Sequence, residues 1–324
     1  MINLELSDKH QETYNNLRMV AEHMMRPYSR HYDKEEHSYP KELEEVAKLL
    51  DGGSTGGSPA PKTEQGGARN GANLLAVSAY EALCWGDVGL MLAMPGRGLG
   101  NAAINAVGTP EQIRKHGSSY AAMCITEPGA GSDSANISTT AVLDGDEWVI
   151  NGEKIYVTAG GRCDTLVVWA TLDKSAGKAA IKSFIVKKGT PGCEVTRLEH
   201  KMGIRASDTA AISFSDCRIP RENLLGSEEV ATDAEGRKKA FGGVMQTFDN
   251  TRPPVAAMAI GVARAALDLT RDLLQREGVA LTFDKKPENV SARDAELYRM
   301  EAEWQAARLL VQKAAWMADN KQPN

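Results

Sequence analysis

Residues 124–140 read CITEPGAGSDSANISTT, a glycine-rich turn that opens onto small hydroxyl side chains with no helix behind it. A phosphate-binding glycine loop normally passes from a strand into a helix whose N-terminus holds the anion. Here the downstream run TTAVLDGDEWVINGEKIYVT, residues 139–158, alternates apolar and polar positions instead. Its Asp144-Gly145 and Asn151-Gly152 dipeptides predict hairpin turns. The loop therefore does its binding on a β scaffold.

That scaffold extends over roughly 121–226. Candidate strands lie at 141–143, 147–150, 154–157, 165–171, 183–187, 194–198 and 210–214. Short strands at this spacing, joined by tight turns, predict an antiparallel sandwich or barrel. Helical patterns flank it on both sides. Upstream, Ser7 is placed as an N-cap, and Tyr14, Leu17, Ala21 and Met24 recur at helical spacing until Pro27. Two further helices are expected over 42–50 and 73–83. The stretch DGGSTGGSPAPKTEQGGARNG between them lacks apolar anchors and predicts a surface loop. Downstream, Val255, Ala259, Val262, Ala266, Thr270 and Leu273 share one face of a long helix. Another helix begins near Ser291, with Asp294 placed for a capping interaction, and carries Leu297, Trp304, Val311 and Ala315. Two antiparallel helices cannot bury both stripes, so more helices are expected, from other chains or from beyond residue 324.

Composition bounds the function. A chain of 324 residues predicts two or three domains. No apolar run reaches membrane-spanning length, so membrane insertion is not expected. The net charge is −5 with basic residues scattered, which argues against a nucleic-acid partner needing a basic face. Five widely spaced cysteines without a Cys-x-x-Cys predict free thiols in a reducing compartment. With no leader pattern in MINLELSDKH, the expected location is cytoplasmic.

The segments CITEPGAGSDSANISTTA and GDEWVINGEKIYVTAGG closely resemble the acyl-CoA dehydrogenase flavoproteins. So do SFIVKKGTPG, KMGIRASDTAAISFSDCRIPRENLLG and FDNTRPPVAAMAIGVARAALD, in the family's order, from about Leu74 onward. The resemblance implies an α+β multidomain fold: an N-terminal α-helical domain over 1–121, a central antiparallel β-domain over 122–226 and a C-terminal helical bundle over 227–324, incomplete in this chain. FAD and a CoA thioester are expected where the domains meet. Met123, Ile125, Thr126, Gly131 and Ser132 match the family's flavin-cradling strand and loop. Ser132 also lies where the CoA portion of the substrate binds. Tyr156, Val157 and Thr158 match a segment that packs on the flavin, and Asp249, Asn250, Thr251 and Arg252 a substrate-contacting stretch. Taken singly, the glycine loop is an ordinary turn, Tyr156 a core or edge aromatic, and Asp249 with Arg252 a solvated helical pair. Their joint occurrence in family order points to the site.

The reaction implied is α,β-dehydrogenation of a fatty acyl-CoA, passing electrons to an electron-transfer flavoprotein or similar acceptor. It needs a glutamate base, which the family carries at the position of Thr251 or in a Glu-Gly-Thr motif expected beyond residue 324. No catalytic residue is therefore assigned within the chain. The family's Arg-x-x-Phe-Gly run matches only at Thr282 and Phe283, which would contact the FAD of a neighbouring subunit. The run RKHGSSYAAM is several residues short of the family pattern, which, with the missing bundle helices, suggests truncation. A homotetramer or homodimer is expected. The alternatives are a non-catalytic or half-site subunit of a heteromer, and a same-fold flavin oxidase or monooxygenase. No metal is expected: the ligand types in His31-Tyr-Asp33-Lys-Glu35-Glu36-His37 match no defined spacing and predict a solvated charged loop. The acid-rich 227–236 stretch reads as an exposed connection.

Overall fold

The computed structural model describes residues 2, 4–52, 71–96, 98–231, 242–279 and 286–322. Residues 53–70 of the predicted loop, residues 232–236 of the acid-rich connection, and Thr282 and Phe283 lie outside the described residues, while 51 and 52, expected in the loop, end a helix. The chain divides into two compact units, one of residues 1–30, 52–91 and 252–324, the other of 31–51 and 92–251.

The first unit is helical. Helix α1, Asp8–Val20, starts at Ser7, whose hydroxyl accepts from the His10 N–H. The helix does not stop at Pro27 as expected. A π-helical turn at Ala21–Met25 leads straight into α2, Arg26–Lys34, with the Arg26 N–H reaching back to the Ala21 carbonyl. The wider turn displaces the carbonyl that a proline ring would otherwise strike, so Pro27 is carried rather than terminal. Helix α4, Ala72–Gly86, follows α3, Glu44–Gly52, of the other unit. The long helix α8, Gly242–Arg276, enters this unit at Arg252, and α9, Ala292–Asp319, completes it. Between α4 and α8 in the chain come α5, Val88–Ala93, α6, Leu99–Val107, and α7, Pro110–His116.

Leu74 and Val77 of α4, Ala257 of α8 and Ala315 of α9 form a buried cluster. Polar groups lock the same helices. Arg308 donates to both oxygens of the buried Glu81 at 2.8 and 2.9 Å, and the Trp304 indole donates to the Ile260 carbonyl at 3.0 Å. The Asp319 carboxylate takes the free N–H groups of Gly71, Asn73 and Leu74, capping α4 from the far end of the sequence. Close helix approach explains Gly261, where a Cβ would lie 2.4 Å from the Glu81 carbonyl oxygen. The α9 stripe is as expected: Leu297 and Ala315 are buried, Trp304 and Val311 half-buried. The α8 stripe is not. Val255 and Leu273 stay 54% and 49% exposed, while Ala257, Ile260 and Leu267 carry the buried face. An apolar period marks a face able to pack; which face does so depends on the neighbours present.

The second unit is built on a seven-stranded sheet: β1 Ala121–Cys124, β2 Thr140–Asp144, β3 Glu147–Thr158, β4 Thr165–Thr171, β5 Ile181–Lys187, β6 Cys193–Leu198 and β7 Thr209–Pro220. The order is β1-β4-β2-β3-β7-β6, with β5 also on β4. Most pairings are antiparallel, but β1 runs parallel to β4 from Ala121↔Thr165 to Cys124↔Val168. Strand β4 is buried on both faces. Leu166, Val168 and Ala170 join Trp148, Phe184 and Phe214 in one core, and Val167 and Trp169 pack with Ala103 and Ile104 of α6 in another. Its unbroken apolar run is the expected signature of two-sided burial.

The two predicted hairpin turns have different fates. Asp144-Gly145 makes the β2–β3 turn, with Asp144 opposite Glu147 and Gly145 at φ +63°. Asn151-Gly152 does not turn the chain: the predicted 147–150 and 154–157 strands are one strand with a register shift at this point. Gly152 has φ +149°, and a Cβ there would lie 2.5 Å from the Thr139 hydroxyl. Glycine is needed for this bulge and close approach, which mimics a hairpin signal.

Candidate functional site

The glycine loop leaves the C-terminal end of β1, and long-range contacts set its course. The buried Asn101 of α6 accepts from the Ala121 N–H and donates to the carbonyls of Gly117 and Ser119. A Cβ on Gly100 would meet the Ala122 carbonyl at 2.6 Å, so α6 lies directly against β1. Beyond β1, the Thr126 carbonyl accepts from the Ile155 N–H at 2.9 Å. Two segments distant in sequence and both expected at the flavin, 123–132 and 156–158, are thereby held side by side.

Their side chains face different ways. Ile125 and Val157 are buried in the two cores, and Met123 packs partly against one of them. Only backbone groups of Ile125 and Val157 are thus placed to meet a ligand. Thr126 and Thr158 are half-buried, and Gly131 and Ser132 exposed. Tyr156 sits in the second register shift of β3, at φ +56° and 63% exposed. A bulge re-aims side chains, and a positive φ at a bulky residue is costly backbone held by its surroundings. Here it turns an aromatic ring outward beside the loop. Gly129 and Gly131 complete an open face: a Cβ on either would meet nothing within 4 Å.

Beneath this face lies a charged pair that the motif reading passed over. Lys154 is wholly buried, with its Nζ 2.8 Å from the Glu127 carboxylate and 3.0 Å from the Ile125 carbonyl. Glu127 also accepts the Ser138 N–H and hydroxyl at 2.5 and 2.6 Å and the Thr139 N–H at 3.0 Å. Burial alone would raise the Glu127 pKa, but the Lys154 charge and these hydrogen bonds overcome it and hold the carboxyl at about 2. The signal was present in the alternation: Lys154 has the same phase along β3 as the buried Trp148 and Ile150. A second pair, the half-buried Arg162 with the buried Asp208 at 3.1 Å, stitches neighbouring loops. Arg162 also donates to the carbonyls of His37, Ser38 and Ala206, and Asp208 accepts the Gly161 N–H.

The stretch expected to contact substrate lies on α8, where Thr251 is half-buried and Arg252 exposed. Asp249 and Asn250 are helical, as is the rest of α8. The expected solvated loop at 31–37 is a correction. His31 to Lys34 are helical, and Glu36 and His37 are half-buried beside His200. Glu36 binds His200 Nδ1 at 2.9 Å and the Lys201 N–H at 2.8 Å, with Arg205 at 3.4 Å. These side chains have the ligand types for a metal, but the guanidinium against the same carboxylate opposes a cation.

Models of the N-terminal, middle and C-terminal domains of acyl-CoA dehydrogenases match residues 7–123, 122–217 and 241–324. The chain belongs to the acyl-CoA dehydrogenase family. It is 34% identical over 94% of its length to an acryloyl-CoA reductase (NADH) of Anaerotignum propionicum, covering 75% of that protein. It is 33% identical over 93% of its length to a short-chain specific acyl-CoA dehydrogenase of Clostridium acetobutylicum, covering 76%. Among solved structures, butyryl-CoA dehydrogenase from Megasphaera elsdenii superposes with a TM-score of 0.81 at 32% identity, over 99% of this chain and 82% of that one. The helical, β and helical order expected from the sequence is the family's, and the chain is an FAD-dependent oxidoreductase. The loop suits that cofactor on its own geometry. Its carbonyls at 125 and 126 are occupied from within, its glycines leave an uncrowded face, and an outward ring stands beside it. Among the described residues, no helix is long and apolar enough to cross a membrane.

Proposed function

We propose that this acyl-CoA dehydrogenase family member carries out α,β-dehydrogenation of a fatty acyl-CoA thioester to the trans-2-enoyl-CoA. The observation that carries the reading is the pairing of the 123–132 loop with the 156–158 segment through the Ile155-to-Thr126 hydrogen bond. It supports Met123, Ile125, Thr126, Gly131, Ser132, Tyr156, Val157 and Thr158 as the cofactor-binding set, with Thr282 and Phe283 assigned by the motif alone. FAD, when bound, supplies the acceptor for the β-hydride. The Thr126 N–H and hydroxyl are donors suited to a ring system that gains negative charge on reduction. Tyr156 shields one side, and Ser132 serves the phosphate-bearing portion. Asp249, Asn250, Thr251 and Arg252 form the substrate stretch on α8. Domains over 1–121, 122–226 and 227–324 follow the same reading.

The α-proton must go to a carboxylate in a water-poor pocket. Thr251, at one of the two base positions, cannot serve. That observation favours a second reading, a half-site subunit that binds flavin or CoA thioester and relies on a partner for the base. In either case the working form is an oligomer, with an electron-transfer flavoprotein or similar acceptor, in the cytoplasm. Five free cysteines fit a reducing compartment. Similarity to a structure described as an electron transferring flavoprotein of Acidaminococcus fermentans, TM-score 0.80 at 31% identity, supports the acceptor.

The test is anaerobic titration of the flavin-loaded chain with saturated acyl-CoAs of increasing length, following the visible absorbance of oxidised flavin. Bleaching supports the dehydrogenase and locates a base within the chain. Bound flavin that stays oxidised until a partner is added supports the half-site subunit. A chain that retains no flavin refutes both.

A further inference from the structure

Three consecutive residues of the loop are tied from the scaffold side. The Ile125 carbonyl takes Lys154 Nζ, the Thr126 carbonyl takes the Ile155 N–H, and the Glu127 side chain takes Lys154, Ser138 and Thr139. Lys154 and Ile155 are adjacent on β3, so one strand edge gathers both carbonyls. With them turned inward, the N–H and hydroxyl of Thr126 make no other hydrogen bond among the described residues. The pair thus sorts the loop's polarity, with acceptors toward β3 and donors toward the open face.

A buried ion pair is a weak device for stability alone, since matched neutral side chains often do as well. Lys154 is buried completely and Glu127 is 3% exposed, so both charges have lost their hydration to stand beneath this loop. The pair also sits where Tyr156, two residues beyond Lys154, leaves the sheet. We propose that Lys154 and Glu127 are the positioning pair of the flavin loop, fixing the direction of the Thr126 donors and thereby the affinity and electronic state of the cofactor they face. This rests on the flavin reading of the loop.

The experiment uses the flavin-loaded protein and its stripped form. In the double variant Lys154→Met with Glu127→Gln, both charges go together and the stem volume is kept, so folding is expected to survive with a melting temperature near that of the parent. FAD affinity, measured by titrating FAD into the stripped protein, is expected to fall about tenfold or more. The visible band of bound oxidised flavin should move toward that of free FAD, and its midpoint potential away from the parent's. Unchanged affinity, spectrum and potential in a folded double variant would overturn the proposal. If the double variant does not fold, Ser138→Ala decides: Ser138 is an exposed residue whose hydroxyl donates to Glu127 at 2.6 Å. About threefold weaker FAD binding supports the pair's role, and unchanged binding overturns it. A parent chain that takes up no FAD refutes the flavin reading itself, an outcome distinct from either.

Discussion

Substituting Gly131 by alanine separates cofactor binding from folding. A Cβ at this position meets no protein atom within 4 Å, and the backbone is outside the left-handed region. Folding alone therefore predicts a gain. Alanine narrows the unfolded ensemble and stabilises by about 0.4–1 kcal/mol, which in a large chain raises the melting temperature by roughly 1–4 °C. Cofactor binding predicts the reverse, because the open face would receive the ligand and a methyl group intrudes on it. Crowding of a packed contact costs about 1–3 kcal/mol, or roughly 5- to 150-fold in the FAD dissociation constant. The assay is a thermal melt of the stripped protein together with an FAD fluorescence titration of the same sample. A stripped protein at least as stable as the parent, with clearly weaker FAD binding, is the expected pair of results. Stability raised with FAD affinity unchanged would refute the reasoning, since the face opened by Gly129 and Gly131 would not then hold the cofactor.

Acid should remove the contribution that Glu127 makes to the stability of the second unit. Glu127 has its pKa lowered from 4.5 to about 2 in the fold, so its stabilising contribution is complete above the unfolded value. It is lost as pH falls from about 4.5 toward 2, and denaturant midpoints measured across that window should fall in the parent and less in Glu127→Gln. Removing Arg308 as methionine leaves the Glu81 carboxylate buried without its partner, and a loss of about 3 kcal/mol is expected in denaturant unfolding. Gly261→Ala improves helix propensity by about 1 kcal/mol, yet its Cβ would strike the Glu81 carbonyl, so a net lowering of the melting temperature is expected; a rise would refute the close approach of α4 and α8. Thr251→Glu places a carboxylate at a family base position, and it should speed or confer flavin bleaching by acyl-CoA. An unchanged rate would count against the 249–252 stretch as the substrate contact.

Local signals reached as far as their own range. The Asp144-Gly145 turn was legible because a two-residue hairpin demands a positive φ that glycine alone adopts without strain. Asn151-Gly152 carried the same signal, but there the glycine answers to Thr139 on another segment rather than to a turn. The apolar stripe of α8 was legible as a stripe, yet the side that packs is the one bearing Ala257 and Ile260. Pro27 read as a stop, and only the π-helical turn before it shows how the helix continues.

The amino-acid sequence by itself determined the family and the succession of helical, β and helical segments, and it marked the glycine loop as the candidate site. Those properties reside in residue types and spacings within one segment. Tertiary structure alone decided which acceptors of that loop are occupied. Glu127 and Lys154 lie on different segments; the phase of Lys154 along β3 gives its burial but not its partner, and nothing local distinguishes Glu127 from a solvated charge. Asp319 capping α4 and Asn101 holding the start of β1 belong to the same class. Such pairs arise when packing removes water from a polar group, which must then be satisfied by whatever the fold has brought beside it.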